Sequence, residues 1–144
     1  MERAHAAYEV CATFRIALAD RGLLCCEFGI PPDVVIESPV AFNQFKGALA
    51  ENCAMQALAA NGVRPYYWTH DNRYEVDFVF QNARGDVIPL EVKSSEHTTS
   101  KSLSVYTARY KPPYALRASQ KNFGFENGIR SIPLYALFCL DGGI

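Results

Sequence analysis

Long apolar runs are missing from this sequence. None of its 144 residues belongs to a stretch approaching the roughly 18 apolar residues that a membrane-spanning helix needs. The first ten residues, MERAHAAYEV, also lack the basic and then apolar pattern of a secretory signal peptide. We therefore expect a cytoplasmic protein without membrane association.

Cysteine and histidine are too few, and too irregularly spaced, to form the disulfide frameworks or zinc sites that stabilise many small proteins. The five cysteines are an odd number without a Cys-x-x-Cys pair, and there are only three histidines. This argues against a disulfide framework and against a zinc site. The adjacent Cys25 and Cys26 leave two interpretations open, a redox element or small apolar residues in the core, and the second is favoured.

An excess of positive charge is also absent, since the formal net charge is -1. Proteins that depend on non-specific DNA affinity are usually basic, because lysine and arginine neutralise phosphates. Any contact with nucleic acid would therefore depend on a local patch or on another domain. The length and the apolar fraction of 49% are typical of one globular domain with a substantial core.

The order of predicted elements indicates a mixed α/β domain. Residues 43–60 are predicted to form a helix because they are rich in good helix formers, contain no proline and end at Asn61-Gly62. The state of residues 6–29 stays open, and residues 29–32 and 38–39 are predicted breaks. The other predictions are strands at 65–69, 74–80, 87–93 and 114–119, a helix at 102–110, a turn at 126–128, and a final apolar element at 132–140.

The predicted hairpin of residues 74–93 brings charged residues together. If its turn is centred on Arg84, Asp77 lies opposite Glu91 and Glu75 lies opposite Lys93. Strict alternation then puts these four residues on one face of the hairpin. The opposite face is wholly apolar and consists of Val76, Phe78, Phe80, Ile88, Leu90 and Val92.

The facing carboxylates of Asp77 and Glu91 have two interpretations. Like charges opposite each other destabilise a sheet, and a divalent cation between them would reverse that effect, so the pair suits Mg²⁺ or Mn²⁺. In the alternative, the face is solvated, Glu75 and Lys93 form an ion pair, and the two carboxylates are tolerated in water. The hairpin considered alone favours neither interpretation.

Glu51 favours the metal site. It shares a helix face with Gly47 and with the apolar residues Ala54, Met55 and Leu58, so its carboxylate is predicted to point toward whatever the helix packs on. Gly47, one turn earlier, would leave space beside it. In the alternative, Gly47 belongs to the start of the helix and Glu51 extends to the rim.

These residues carry a resemblance to a known superfamily. Asp77, followed after residues 78–90 by Glu91-Val92-Lys93, resembles the D-x(n)-E-x-K signature of PD-(D/E)XK nucleases, and Glu51 matches their helix glutamate. Six further segments resemble the C-terminal DUF4143 domain of bacterial and archaeal AAA-type ATPases: FKGALAEN, YYW, EVDFVF, IPLEVKSS, KSLSVY and IPLYAL. The segment FRIALADRGLL resembles the one that leads into that domain.

The resemblance implies a restriction-endonuclease-like α/β fold, with a mixed central sheet flanked by helices. Residues 1–40 would be a lead-in segment that packs on the core, and residues 41–144 the nuclease-like domain. Asp77, Glu91, the Val92 carbonyl and Glu51 would hold Mg²⁺ or Mn²⁺, and Lys93 would position water or stabilise charge. Two departures are clear: no G-x-x-x-x-G-K-[ST] motif is present, and Val76 replaces the proline that names the superfamily.

Several nearby residues have both a nucleic-acid and an ordinary interpretation. Phosphate contacts are one interpretation of four polar residues, and ordinary loop positions are the favoured one: Ser94, Ser95, Lys101 and Ser102. The aromatic residues 66–68 could stack on bases, but packing is favoured. For His70 and His97 we expect exposure to solvent.

Three functions compete. The first is a Mg²⁺- or Mn²⁺-dependent nuclease acting on DNA, with Glu51, Asp77, Glu91 and Lys93 as catalytic residues. The second is a catalytically silent nuclease-fold module that binds DNA or a partner and regulates an AAA-type ATPase on the same or another chain. The third is an interaction domain that does not bind nucleic acid. The sequence predicts no oligomeric state.

Overall fold

A computed structural model describes residues 15–37, 43–95 and 100–140 of the chain. These residues form four α-helices, six strands and one 3-10 helix. In chain order they are α1 (Arg21–Glu27), α2 (Pro32–Glu37), α3 (Asn43–Ala60), β1 (Tyr66–His70), β2 (Tyr74–Gln81), β3 (Val87–Val92), α4 (Lys101–Tyr110), β4 (Ala115–Ser119), β5 (Gly124–Glu126), β6 (Ile129–Pro133) and the 3-10 helix Leu134–Cys139.

The strands form one mixed sheet in the order β1-β2-β3-β4-β6-β5. The pairs β1–β2, β2–β3 and β5–β6 are antiparallel, whereas β3–β4 and β4–β6 are parallel. The carboxyl ends of β3, β4 and β6 therefore lie at the same edge of the sheet. The predicted α/β architecture with a mixed central sheet is confirmed.

Helices cover both faces of the sheet, and each face has its own core. On one face, the buried Ala54 and Leu58 of α3 pack with Phe78, Leu90 and other apolar residues of the strands. On the other face, Leu103 and Tyr106 of α4 pack with Val76, Val79 and Ala115. The sheet is thus the middle layer of a helix–sheet–helix arrangement.

The predicted helices and turns in the middle of the chain are confirmed. Helix α3 has the predicted bounds, and α4 begins after Ser100, whose hydroxyl accepts a hydrogen bond from the Leu103 N–H. The β1–β2 turn contains Asp71 and Asn72 with φ of 53° and 51°, a left-handed conformation that asparagine and aspartate tolerate.

The ends of the described chain contain elements that the sequence left open or did not predict. Asp20 caps α1 by accepting hydrogen bonds from the N–H groups of Gly22 and Leu23. Pro32 was predicted to lie in a break, but it begins α2. Proline is tolerated there because the N–H group that it lacks would have no partner in the first turn of a helix.

The turn at 126–128 is confirmed, and it joins the two strands of the unpredicted hairpin β5–β6. The final apolar element is divided between β6 and the 3-10 helix.

An irregularity in β2 changes the faces predicted for the hairpin. Tyr66 pairs with Val79 and Trp68 with Val76, so three steps along β2 match two along β1. This bulge lies at Asp77 and Phe78. As a result, Val76 packs on the α4 face while Phe78 and Phe80 pack on the α3 face. The prediction that Val76 shares a face with Phe78 was wrong, because strict alternation fails at a bulge.

No helix within residues 15–37, 43–95 and 100–140 is long and apolar enough to cross a membrane. The predicted domain boundary near residue 40 stays a prediction, as does the cytoplasmic location. The predicted break at residues 38–39 and the exposure of His97 lie outside the described residues.

Candidate functional site

Asp77 lies at the bulge in β2, and its side chain reaches across to β3. The Oδ2 atom accepts a hydrogen bond of 2.7 Å from the Val92 N–H. Burial raises the pKa of this carboxyl from 3.8 to about 7, although the Val92 hydrogen bond opposes the shift. The charges of Glu91 and Glu51 raise the pKa further, and that of Lys93 lowers it. The other three predicted site side chains therefore all influence the pKa of Asp77.

Glu91 and Lys93 form an ion pair at the carboxyl end of β3. The Glu91 side chain is buried, only 4% of the residue is exposed, and its Oε1 lies 2.5 Å from the Lys93 Nζ. The Oε2 atom is buried without a hydrogen-bond partner in the described chain. The alternative of a solvated face was wrong for Glu91, because its carboxylate is shielded from water.

The hairpin register agrees with the prediction where the strands pair. Phe78 lies opposite Leu90 and Gln81 opposite Val87, as a turn centred on Arg84 requires. The ion pair between Glu75 and Lys93, which belonged to the solvated-face alternative, was wrong, since Lys93 pairs with Glu91 and Glu75 with Arg15. The backbone at Lys93 pairs with β4 and not with β2, because the Lys93 N–H donates a hydrogen bond of 2.8 Å to the Ala118 carbonyl.

Glu51 lies at the rim of the site. Its Oε2 is 3.3 Å from Arg15 Nη1, and the other guanidinium nitrogen of Arg15 contacts Glu75, so Arg15 bridges two carboxylates. The Glu51 side chain is 40% exposed. Ala54 and Leu58 on the same helix face are fully buried, as predicted. A Cβ at Gly47 would meet nothing within 4 Å, so the glycine does leave open space.

Arg117 of β4 is a site residue that the sequence did not reveal. It pairs in register with Glu91, and neighbouring strands are about 4.8 Å apart, so the two side chains lie on the same face. Its Nε is buried without a hydrogen-bond partner among the described residues. The available signal was an arginine inside the apolar strand segment ALRAS. Nothing in that segment indicated which strand lies beside it.

Comparison with protein families supplies an independent observation. The family model described as "Domain of unknown function (DUF4143)" matches residues 46–137. The chain belongs to the DUF4143 family. No curated protein and no solved structure matches the chain. The matched range contains all four predicted site side chains and Arg117.

The acidic site of this DUF4143 domain contains two converging carboxylates and a third at the rim. Within the described residues, no group of three or more His, Cys, Asp or Glu side chains is arranged to hold a metal ion. Glu91 is buried and Asp77 half-buried, and Glu51 is held by Arg15. The arrangement can therefore offer two carboxylates to a cation, with the Lys93 ammonium beside them.

The polar residues after β3 have different surroundings in the DUF4143 domain. Lys101 and Ser102 lie in the first turn of α4, so the interpretation as loop residues was wrong for them. The Ser102 hydroxyl accepts a hydrogen bond of 3.1 Å from the Glu75 N–H, which is a structural role. Ser94 lies in the rim of a cavity, and Ser95 is exposed.

The aromatic residues of β1 pack within the domain. The Trp68 ring meets Tyr106 edge-on at 5.1 Å between centroids and stacks on His70 at 5.7 Å. His70 Nε2 also lies 3.0 Å from Arg109 Nη1, so this histidine has partners. The favoured interpretation of the aromatic strand as a packing element agrees with these contacts for Trp68, whereas the expected solvation of His70 was wrong.

Proposed function

We propose that this DUF4143 domain is a divalent-metal-dependent, nuclease-like domain that binds or hydrolyses DNA at the site of Asp77, Glu91 and Lys93. The observation that carries the proposal is the buried Oε2 of Glu91, which has no partner in the described chain although the Asp77 carboxylate lies nearby. An unpaired buried carboxylate oxygen costs free energy, so its retention favours a ligand that would occupy it.

The donor set fits Mg²⁺ or Mn²⁺. Both ions prefer hard oxygen ligands, and Asp77 and Glu91 supply two carboxylates. The Val92 carbonyl, between Glu91 and Lys93 in sequence, is the third proposed ligand. A cation bound there would lower the pKa of a coordinated water and stabilise the negative charge that develops in phosphodiester hydrolysis.

The positive side chains would act on the substrate. Lys93 holds Glu91 through its Nζ, and the same ammonium can approach a phosphate or orient an attacking water. Arg117, beside Glu91 in register, adds a second, half-buried cation on the same face. Both would stabilise the negative charge that increases as the phosphodiester bond breaks.

Glu51 has a conditional role in this proposal. Its carboxylate is paired with Arg15, so it can join the ligands only after that guanidinium moves. An incoming DNA strand offers Arg15 an alternative partner, because arginine binds phosphate strongly. The proposed ligand shell is therefore completed when substrate arrives.

The sequence resemblance supports the same proposal. The Asp77…Glu91-x-Lys93 pattern resembles that of PD-(D/E)XK nucleases, and the DUF4143 segments resemble C-terminal domains of AAA-type ATPases. An ATPase on the same or another chain is thus the proposed partner.

Cleavage assays with isosteric variants test the nuclease. Purified protein is incubated with plasmid and single-stranded DNA plus Mn²⁺, and the products are separated on gels. We expect cleavage by the wild type and by Glu126→Gln, which alters an exposed carboxylate on the far edge strand. Asp77→Asn and Glu91→Gln should lose at least about 100-fold, since they remove metal ligands. Identical products from the wild type and Asp77→Asn would refute the nuclease.

A second candidate is a catalytically silent module that binds DNA or a partner and regulates an ATPase. The specific observation in its favour is the Arg15 bridge, which neutralises Glu51 and Glu75 and leaves only two carboxylates for a metal. If this candidate is correct, Asp77→Asn will leave the ATP turnover of the full ATPase unchanged, and no cleavage will be observed with either metal.

A further inference from the structure

A cavity of about 470 Å³ opens at the carboxyl edge of the parallel strands. Its wall includes Ser94 after β3, Ser119 and Gln120 at the end of β4, and Leu134 after β6. Ligands of α/β sheets bind in crevices outside the carboxyl ends of parallel strands. The volume is also within the usual range for small-ligand sites, about 300–1,000 Å³.

The charge that lines this cavity is positive. Arg21 at the start of α1 and Lys46 in the first turn of α3 both contribute to the wall, and no aspartate or glutamate does so within the described chain. Lys46 has no ion pair with a described residue. Arg21 donates a hydrogen bond of 3.7 Å to the Cys53 Sγ. A thiol is a weak acceptor and carries no charge to compensate that of the guanidinium. The hydroxyls of Ser94 and Tyr135 add neutral donors.

The cavity adjoins the acidic site. Ser94 directly follows Lys93, and consecutive Cα atoms are about 3.8 Å apart. A DNA strand with one phosphate at Lys93 therefore places a neighbouring nucleotide beside the cavity. The apolar part of the wall, including Leu49 and Leu134, offers a surface to the sugar or base.

We infer that this cavity binds a nucleotide of the DNA strand next to the phosphate held at the acidic site. Its phosphate contacts Lys46 and Arg21, and its sugar packs on Leu49 and Leu134. The inference rests on the proposed function in one respect, since that proposal identifies the polymer to which the phosphate belongs. Two cations in a wall where no carboxylate of the described chain takes part select a phosphate over a cation or a neutral sugar.

Binding measurements in EDTA test the cavity without requiring cleavage. The probe is a fluorescein-labelled single-stranded oligonucleotide, followed by anisotropy at several salt concentrations. We expect Lys46→Gln to weaken binding roughly three- to tenfold at about 50 mM salt and to reduce the log–log salt slope by about 0.7. The matched control is Arg84→Gln, which removes an exposed charge in the β2–β3 turn and should change neither quantity.

Two results would overturn the inference. Equal losses in Lys46→Gln and Arg84→Gln would show that only net charge matters. Displacement of the oligonucleotide by ADP at micromolar concentration, with loss of ADP binding in Lys46→Gln, would show a site for free nucleotides. If Lys46→Gln alone weakens binding and the wild type does not cleave DNA, the inference stands and the nuclease proposal fails. Thermal melts of both variants confirm that they are folded.

Discussion

The carboxyl of Asp77 illustrates how burial controls a single residue. Its one hydrogen bond to the Val92 N–H stabilises the ionised form, yet burial and the neighbouring carboxylates have the larger effect and raise its pKa to about 7. Without a cation, and between the two pKa values of 3.8 and about 7, the folded protein therefore holds a proton at Asp77 that the unfolded chain releases. Perturbed pKa values of this kind are common at functional sites.

We predict that Asp77→Asn stabilises the protein in metal-free buffer at alkaline pH. The folded-state pKa is above 3.8, so the stability contributed by the bound proton is complete below about pH 4 and is lost as the pH rises through 7. Each pKa unit corresponds to about 1.4 kcal/mol. Urea unfolding should show a gain of about 1–4 kcal/mol near pH 8 and a smaller one near pH 5.

Glu126→Gln is the control for this measurement, because it replaces an exposed carboxylate on the edge strand β5. Its unfolding free energy should equal that of the wild type at both pH values. A stability gain in Asp77→Asn that is equal at both pH values would contradict the prediction. A lower stability of Asp77→Asn than of the wild type at pH 8 would show that the hydrogen bond from the Val92 N–H stabilises the ionised carboxylate more than burial destabilises it.

The residues of the ion pair show what side-chain alternation can and cannot predict. Asp77, Glu91 and Lys93 were selected from the spacing along two strands, and the structure brings them together. The partner of Lys93 could not be predicted in the same way. It depends on β4, whose Ala118 carbonyl accepts a hydrogen bond from the Lys93 N–H, and on Arg15, which contacts Glu75.

At the scale of elements, α3 anchors the segment before α1 through two amide side chains. The Leu18 N–H donates a hydrogen bond of 2.8 Å to Asn52 Oδ1. The Leu18 carbonyl accepts two hydrogen bonds of 3.1 Å, one from Asn52 Nδ2 and one from Gln56 Nε2. Asn52 is 6% exposed. This anchor holds Arg15 near Glu51, so the geometry of the rim depends on it.

We predict that Asn52→Ala lowers the free energy of unfolding by about 1–3 kcal/mol, because it breaks both hydrogen bonds and leaves the Leu18 N–H without its acceptor. Hydrogen exchange of the Leu18 amide should accelerate. Gln56→Ala is the matched control with a smaller effect, since the Leu18 carbonyl keeps its bond to Asn52. Equal exchange rates in the wild type and Asn52→Ala would refute the role of this anchor.

The bulge in β2 is the element-scale feature that the sequence did not reveal. The segment YEVDFVF alternates in a regular way, so nothing in it indicated that Val76 and Phe78 face opposite layers. The bulge arises where β1 pairs with β2, and pairing is a property of two strands. Its consequence is that Asp77 lies between the two cores, where its carboxylate can reach β3.

At the scale of the whole molecule, cation binding should couple to stability. We predict that Mn²⁺ at about 100 times its dissociation constant stabilises the folded state by about 2.7 kcal/mol, because the unfolded chain lacks the site. For a domain of this size the melting temperature should rise by roughly 5–10 °C. Asp77→Asn and Glu91→Gln should lose this increase. An equal increase in these variants would place the ion elsewhere.

Composition and local pattern alone determined the α/β class, the bounds of α3, the β2–β3 register and the identity of the acidic residues. These depend on residues a few positions apart, where helix and strand geometry dictate side-chain direction. Only the tertiary structure decided that Arg15 pairs with Glu51, that Arg117 lies beside Glu91, and that a basic cavity adjoins Lys93. Each of these requires segments distant in sequence to dock, and local geometry contains no information about which surfaces meet.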